Sequence, residues 1–434
     1  MLDSKRFNKG DILACVSGEG IEIIDCIGSG GSADVYKVKY KETEMVLKWY
    51  KPHTVCNLKH LYINIKSLVE SGSPSGNFLW PVDITPFEQD SFGFITNYKT
   101  EGFYELADFL IGLVSFSSFK ILCDAALGII SAFKSLHSKG YAFLDVNDSS
   151  FFINFENGKI LISNIDDIVR VGESTNFIGT PRYIAPEVFI DKSSPNNYSD
   201  RYTLAIILFM LICGSHPLEG KRSLGNIMTP EAQKKVYGKD ALFIFDKNDD
   251  SNAPLSQIHS TAIAMWSCLP SYIKELFYKT FSKDGGILSP AKRPSETQWF
   301  EAFARWRSDI IPCSCGNEVF TINGEKGECE KCGSIVAAPY KIKMRDYAVP
   351  ALKGTRLYRG QFGSCDALKP FALVVSSREN PDILGLANLS QLEWTVTTPD
   401  GKNVIVKDKS VVPLMDGITI EFNLNSTIKI VQNK

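Results

Sequence analysis

Residues 140–167 constrain the fold of this 434-residue chain more than any other stretch. Two short, apolar, β-prone runs, at residues 151–155 and 159–163, are joined by the polar sequence Glu156-Asn157-Gly158-Lys159. Asn-Gly favours the two positive φ angles of a tight hairpin turn. The sequence therefore predicts that the two runs pair as a small β-hairpin.

A helix is predicted before this hairpin, because apolar residues recur there at three- and four-residue steps. They are Phe119, Leu122, Ala126, Ile129, Phe133 and Leu136. A buried helix followed by a hairpin would bring Asp145, on the intervening polar turn, close to Asn164 and Asp166. The segment therefore predicts a cluster of polar side chains that is a candidate catalytic site.

Composition and charge narrow the class of protein. Hydrophobic residues at 44% and charged residues at 22% are typical of a soluble globular protein, and the length allows two or three cores. The net charge of −2 gives no general attraction to nucleic acid or acidic membranes. The longest apolar run, residues 204–213, is too short to span a membrane. Most cysteines are scattered and the N-terminus lacks a signal-like apolar core, so a cytoplasmic location is predicted.

A glycine-rich turn lies between two β-rich runs near the N-terminus, and a third run carries Lys48. Glycines let backbone amides approach phosphate oxygens, and a lysine on the neighbouring strand can pair with phosphates. A lone turn of this kind also occurs in small β-rich domains without a ligand. The spacing Gly28-x-Gly30-x-x-Ala33-x-Val35, followed by the strand lysine, is more specific. With this pattern the chain resembles the protein-kinase family.

The resemblance implies a nucleotide site in the first of two lobes. In the family, the glycine-rich loop covers the nucleotide and the strand lysine holds its α- and β-phosphates. The residues implied to bind nucleotide are Gly28, Gly30, Ala33, Val35, Val46 and Lys48. The helix predicted at residues 57–70 corresponds to the regulatory helix, and it places Asn64 or a neighbour where the acidic partner of Lys48 would stand.

The polar cluster matches the catalytic motifs of the second lobe, but with altered metal positions. Asp145 stands at the Asp of H-R-D-L-x-x-x-N, which orients the substrate hydroxyl, and Ser150 replaces the metal-binding Asn. The D-F-G position falls on Asn164-Ile165-Asp166, so a neutral amide replaces the main magnesium ligand. Because Mg²⁺ in such sites relies on one or two carboxylates, a pseudokinase or a weakly active Ser/Thr kinase is predicted. The alternative is an active Ser/Thr kinase with Asp166 as a substitute metal ligand.

Scaffold residues of the second lobe match the family. Residues 179–187 match the end of an activation segment, including the A-P-E motif with Glu187. Asp200 matches the acid that anchors the catalytic loop, and Arg293 matches the arginine that pairs with the A-P-E glutamate. Asn147 stands where many kinases carry a charge-stabilising lysine. A retained scaffold with altered metal positions is typical of a pseudokinase.

Longer strings are similar to a bacterial kinase-like group associated with tellurite-resistance and stress operons, and the similarity runs from about residue 10 to the C-terminus. The strings include LKWYKP, FLWPVD, SDRYTLA and HPLEGKR. This resemblance implies a kinase-like domain over residues 1–310, with lobes at about 10–98 and 99–310. It also implies a protein substrate or a protein partner.

Four cysteines cluster beyond this domain, in the pairs Cys313/Cys315 and Cys329/Cys332. Each pair is followed by glycine, and four thiolates from two such turns complete the tetrahedral coordination of a structural zinc. Disulfides or unused thiols are the alternatives. The pattern predicts a zinc knuckle over residues 311–340.

After residue 340 the sequence changes to short alternating strands, which predict a small β-sandwich over residues 341–434. The predicted strands lie at residues 371–376, 392–397, 403–407, 417–422 and 427–431. The position of this region and the string LGLANLSQLEW resemble a forkhead-associated-like module. A phosphothreonine reader of that family needs Arg and Ser-x-x-His, for which Arg378 and Ser390 are candidates, but no His follows His259. Docking of a protein partner is therefore favoured, which leaves a non-catalytic adaptor as a further alternative.

The predicted fold class is α+β: a bilobal protein-kinase fold, a small zinc-ribbon-like knuckle and an all-β sandwich. The implied cofactors are a structural zinc, together with ATP and Mg²⁺ if the nucleotide site functions. A protein partner or substrate is expected, and neither nucleic acid nor a membrane is.

Overall fold

The computed structural model describes residues 7–55, 57–173, 179–224, 228–362, 369–422 and 426–433. Within these ranges, none of the helices combines the length and the apolar character that crossing a membrane requires.

The first lobe is a six-stranded antiparallel sheet with one helix. Its elements are β1 (Ile12–Ala14), β2 (Gly20–Ser29), β3 (Ala33–Tyr40), β4 (Thr43–Tyr50), α1 (Leu58–Ser71), β5 (Pro81–Ile84) and β6 (Phe92–Asn97). The strand order is β1-β2-β3-β4-β6-β5. Strands β2 and β3 flank the glycine-rich turn, and Lys48 on β4 lies opposite Val35 on β3. Helix α1 begins after Asn57, whose side chain accepts a hydrogen bond from the His60 amide.

The second lobe is mainly helical. Its helices are α2 (Leu106–Leu110), α3 (Phe119–Ser138), α4 (Pro186–Phe189), α5 (Asn197–Cys213), α6 (Pro230–Tyr237), α7 (Ser260–Cys268), α8 (Ser271–Phe281) and α9 (Glu296–Asp309). Its short strands are β7 (Tyr104–Glu105), β8 (Tyr141–Phe143), β9 (Phe151–Ile153), β10 (Ile160–Ile162) and β11 (Ile168–Arg170). Helix α3 buries the predicted apolar face, and α5, which contains the longest apolar run, is buried in the core.

The predicted hairpin forms between β9 and β10, with Ile153 opposite Ile160. The predicted turn type is wrong. The structure describes all of residues 154–159, and among them only Gly158 has a positive φ, whereas the predicted turn needs two such residues. The side-chain oxygen of Asn154 accepts hydrogen bonds from the amides of Glu156 and Asn157, which stabilises a longer loop than the Asn-Gly pair predicts.

The C-terminal third is built from short strands. Strands β12 (Ile310–Pro312), β13 (Glu318–Phe320), β14 (Gly327–Glu328) and β15 (Ile335–Val336) surround the clustered cysteines. They are followed by β16 (Tyr340–Lys343), β17 (Ala348–Ala351), β18 (Arg356–Tyr358), β19 (Pro370–Ser376), β20 (Leu384–Asn388), β21 (Trp394–Thr397), β22 (Asn403–Val406), β23 (Val411–Pro413), β24 (Thr419–Phe422) and β25 (Ser426–Gln432). A six-stranded sheet, β17-β16-β25-β24-β21-β22, and a four-stranded sheet, β18-β19-β20-β23, contribute side chains to one hydrophobic core.

The cysteine segment contacts the second lobe at the start of α3. The carboxylate of Glu318 accepts hydrogen bonds from the amides of Phe119 at 2.7 Å and Lys120 at 3.3 Å. The first amides of a helix have no partner within the helix, and the helix dipole favours an anion there. Glu318 therefore stabilises the beginning of the central helix of the lobe.

Arg293 offers a test of how much one buried ion pair contributes to this fold. Arg293→Ala would leave Glu187 without its two-pronged contact, at 2.7 and 2.8 Å, with a guanidinium that has no solvent exposure. Removing one partner of a buried pair costs roughly 3–5 kcal/mol of unfolding free energy. Lys247→Ala is the control, since its pair with Glu275 is half exposed and should contribute about 0–1 kcal/mol. Urea denaturation of both variants tests this, and equal losses would contradict it.

Candidate active site

Lys48 on β4 pairs with a carboxylate of the second lobe. Its ammonium lies 2.6 Å from Oδ2 of Asp166, and the Tyr50 hydroxyl donates a hydrogen bond to the same oxygen. Burial disfavours both charged forms, but their mutual attraction outweighs it, so the pKa of Asp166 is lowered and the pKa of Lys48 is raised. The site therefore holds a charged pair that joins the two lobes.

Helix α1 does not supply the partner of Lys48. Asn64 donates a hydrogen bond from its side-chain amide to the backbone oxygen of Ile168 at 2.7 Å. Glu70 lies exposed near the end of the helix. Asp166 thus takes the place of a helix acid, and sequence reasoning missed this pairing. It also missed Tyr50, although alternation along β4 puts residues 48 and 50 on one face of the sheet.

The two altered metal positions lie together. The side-chain amide of Asn164 donates to the hydroxyl oxygen of Ser150 at 3.2 Å, and the Asn147 amide donates to the same oxygen at 3.1 Å. Ser150 is completely buried. Both side chains are neutral and share one hydrogen bond, and neither offers the carboxylate on which magnesium sites rely.

Two acids, Asp166 and Asp167, follow Asn164 closely in the sequence. Oδ2 of Asp166 is already bonded to Lys48 and Tyr50. Burial and the charge of Asp166 raise the pKa of Asp167 well above its usual range.

Asp145 contacts the end of the activation segment. Its carboxylate accepts hydrogen bonds from the Thr180 amide at 2.9 Å and from the Thr180 hydroxyl at 3.2 Å. Gly179 permits this approach, because a Cβ at that position would lie 2.7 Å from the Leu144 backbone oxygen. These two hydrogen bonds therefore fix the orientation of the Asp145 carboxylate.

A buried polar network holds the catalytic loop. Asp200 on α5 accepts a hydrogen bond from the Phe143 amide at 3.0 Å and contacts Nε2 of His137 on α3 at 2.9 Å. The other ring nitrogen of His137 lies 3.0 Å from Glu296 on α9, which also binds Arg201 at 2.8 Å. His137 was missed by sequence reasoning, because on an apolar helix face it gives no local signal of a charged role.

The residues implied to bind nucleotide lie on β2, β3 and β4 and on the turn between β2 and β3. The Gly30 amide donates to the Ala33 backbone oxygen at 2.8 Å and closes the turn, and Gly28 lies opposite Val35. Val46 lies on β4 opposite Thr96 of β6. Lys51, which follows β4, pairs with Asp34 at 2.9 Å and donates to the Gly30 backbone oxygen at 2.9 Å. The turn is thus fastened by a lysine other than Lys48.

The four cysteines converge on one point. All four sulfur atoms lie within 4.8 Å of one another, with 3.6 Å between Cys313 and Cys332 and 3.6 Å between Cys315 and Cys329. A tetrahedral zinc with Zn–S bonds of about 2.3 Å has S···S edges of about 3.8 Å. The donor set therefore fits a tetrahedral thiolate-bound metal.

The two-lobed fold and this arrangement of motifs define a protein of the kinase class. A family model described as protein kinase domain matches residues 21–299. That segment is more than half of the chain, so the chain belongs to the protein kinase family.

Curated relatives are similar in sequence to a part of this chain. Serine/threonine-protein kinase pakE of Dictyostelium discoideum is 27% identical over 48% of this chain and 22% of its own length. Human cGMP-dependent protein kinase 2 is 26% identical over 46% of this chain and 26% of its own length. Serine/threonine-protein kinase AtPK1/AtPK6 of Arabidopsis thaliana is 22% identical over 54% of this chain and 50% of its own length. The chain thus spans about a quarter of the first two relatives and half of the third.

The His137 network predicts a dependence of stability on pH. Burial lowers the pKa of His137, but hydrogen bonds to Asp200 and Glu296 outweigh burial and raise the pKa from 6.5 to about 9. A raised folded pKa gives stability that is fully present below the unfolded pKa and is lost as pH rises through the folded value. From pH ~6.5 to ~9 the unfolding free energy of the wild type should therefore fall on the order of 3 kcal/mol further than that of His137→Gln.

Urea titrations across this pH range provide the measurement. His53→Gln, which alters an exposed histidine, is the control and should follow the wild type. Parallel curves for the wild type and His137→Gln would show that the network does not hold the proton.

Proposed function

We propose that this chain is a protein-kinase-like signalling protein that has lost efficient magnesium-dependent phosphotransfer, as a pseudokinase or a weakly active Ser/Thr kinase. The observation that carries the proposal is the hydrogen bond between Ser150 and Asn164, the two positions where kinases bind metal. The finer resemblance, to a cytoplasmic bacterial kinase group with a forkhead-associated-like module, is part of the proposal.

The reaction explains why these two positions matter. In the family, Lys48 would position the phosphates and Asp145 would orient a Ser or Thr hydroxyl of a protein substrate. Magnesium neutralises the charge that develops on the transferring phosphoryl group. Without the D-F-G carboxylate, magnesium would be held weakly, and ATP would meet Lys48 and Asp145 with little metal to offset its charge.

The alternative is an active Ser/Thr kinase in which Asp166 binds the metal. Asp166 favours it in one respect, since its lowered pKa keeps it ionised only two residues beyond Asn164. In this alternative, Asp166 would have to share an oxygen with the metal or leave Lys48. The two functions therefore differ in how ATP binding depends on magnesium.

Calorimetry of ATP binding with and without Mg²⁺ separates them. We expect binding by the wild type to be weak and indifferent to Mg²⁺. In the double variant Ser150→Asn, Asn164→Asp, Mg²⁺ should strengthen ATP binding by about tenfold or more, because a carboxylate and an amide oxygen are restored.

Tight, magnesium-dependent binding by the wild type would instead support the active kinase. Any phosphotransfer by the wild type should then disappear in Lys48→Met. Phosphotransfer that persists in Lys48→Met would refute the role proposed for that lysine.

We also propose that the four cysteines hold a structural zinc. The proposal rests on the sulfur geometry and on the two-turn arrangement of the ligands. Zinc would supply folding free energy to residues 311–340 and no catalysis, since four thiolates leave no open position.

Chelation tests the zinc proposal. Removing the metal should increase amide hydrogen exchange across residues 311–340 and at the first turn of α3, which Glu318 caps, while the core of α5 should keep its protection. A protein isolated without zinc and equally stable would contradict the proposal.

For the C-terminal sheets we propose docking of a protein partner rather than reading of phosphothreonine. Ser390 is buried, and its hydroxyl donates to Asn388 at 2.7 Å and accepts from Trp394 at 3.0 Å. Its hydrogen-bonding capacity is therefore used within the sheet, and Arg378 alone of the two candidates lies exposed.

A further inference from the structure

Lys48, the residue implied to bind the phosphates, is already paired with a carboxylate. Lys48 and Tyr50 both bond to Oδ2 of Asp166, from the same face of β4. Tyr50 is almost fully buried, and its ring packs against Phe92 and Phe94 with centroid distances of 5.2 and 6.4 Å. The tyrosine hydroxyl is thus held in place, and it keeps the Asp166 carboxylate directed at Lys48.

The neighbouring residues considered next do not supply a second free positive charge for a phosphate. Lys51, the other lysine at the glycine-rich turn, is paired with Asp34 on β3. Asn147 is neutral where many kinases have a lysine, and the metal positions Ser150 and Asn164 are neutral as well. A triphosphate entering this cleft would meet the Asp166 carboxylate in a partly buried environment, where salt screens repulsion poorly.

We propose that Asp166 and Tyr50 set the ligand selectivity of this cleft by disfavouring nucleoside triphosphates relative to nucleosides. Asp166 competes with phosphate for Lys48, and Tyr50 strengthens the competitor. A ligand without phosphates avoids this competition, because it needs no contact with Lys48. The inference rests on the proposed function, in which the site works without a metal.

The experiment compares the binding of adenosine, ADP and ATP in the presence of EDTA, by calorimetry on the full chain. The quantity measured is the ratio of ATP affinity to adenosine affinity. In the wild type we expect a ratio of one or below. Asp166→Asn should raise the ratio about tenfold, because it frees Lys48 and removes a negative charge, and Tyr50→Phe should raise it by about threefold.

Two further variants serve as controls. Asp166→Glu keeps the charge and should keep a ratio close to that of the wild type. Tyr62→Phe removes a hydroxyl from a ring that also contacts Phe92, at 5.2 Å, and should leave the ratio at its wild-type value. Thermal unfolding of each variant shows whether it is folded.

Three outcomes would overturn the proposal. A ratio that falls in Asp166→Asn would mean that Asp166 orients Lys48 for phosphate, and a ratio that stays constant would mean that Lys48 does not contact phosphate. Absence of binding by every probe, in both the wild type and Asp166→Asn, would mean that the cleft takes no nucleoside. Because this series contains no metal, it can fail while the magnesium titrations still support the proposed function, and the reverse also holds.

Discussion

The second lobe depends on the buried carboxylate of Asp200. It accepts a hydrogen bond from the Phe143 amide and contacts His137, so the strand before the catalytic loop is fixed to both α3 and α5. Glu296 adds α9 to the same network through His137 and Arg201. Buried charges are tolerated only when they are paired and hydrogen-bonded. These residues are therefore constrained as a set, and a change at one of them affects the position of the loop.

The metal positions are under a different constraint. Ser150 is buried, Asn164 is partly buried, and both are neutral and hydrogen-bonded to each other, so they require no ion. An Asp at position 164, as in the D-F-G motif, would instead place a negative charge there, which needs a cation or hydrogen-bond donors nearby. The fold can therefore keep its scaffold pairs, such as Arg293 with Glu187, while the residues that would bind magnesium change. This separation explains how a kinase scaffold persists while these two residues differ from the family pattern.

The sequence predicted long periodic elements and a group of candidate site residues, but it did not predict the contacts between those residues. Helix α3 was predictable because its apolar period extends over several turns. Strand β17 was missed because Ala348–Ala351 is buried along its whole length and has no alternation to detect. The polar cluster was predicted from the hairpin, whereas the pairing of Lys48 with Asp166 joins residues 118 apart and arises only when the lobes meet. A residue pattern indicates which face of a helix or strand is buried. It does not indicate which other element packs against that face.

Helix α3 connects the cysteine segment to the stability of the second lobe. Its first turn is capped by Glu318, which lies between the two cysteine pairs, and its last turn carries His137, which contacts Asp200. The ion pair between Asp124 on α3 and Arg307 on α9, at 2.6 Å, fastens the helix between these ends. Loss of order around the cysteines would remove the cap and expose unpaired amides at the start of α3. The cysteine segment therefore stabilises the same helix that holds the catalytic loop in place.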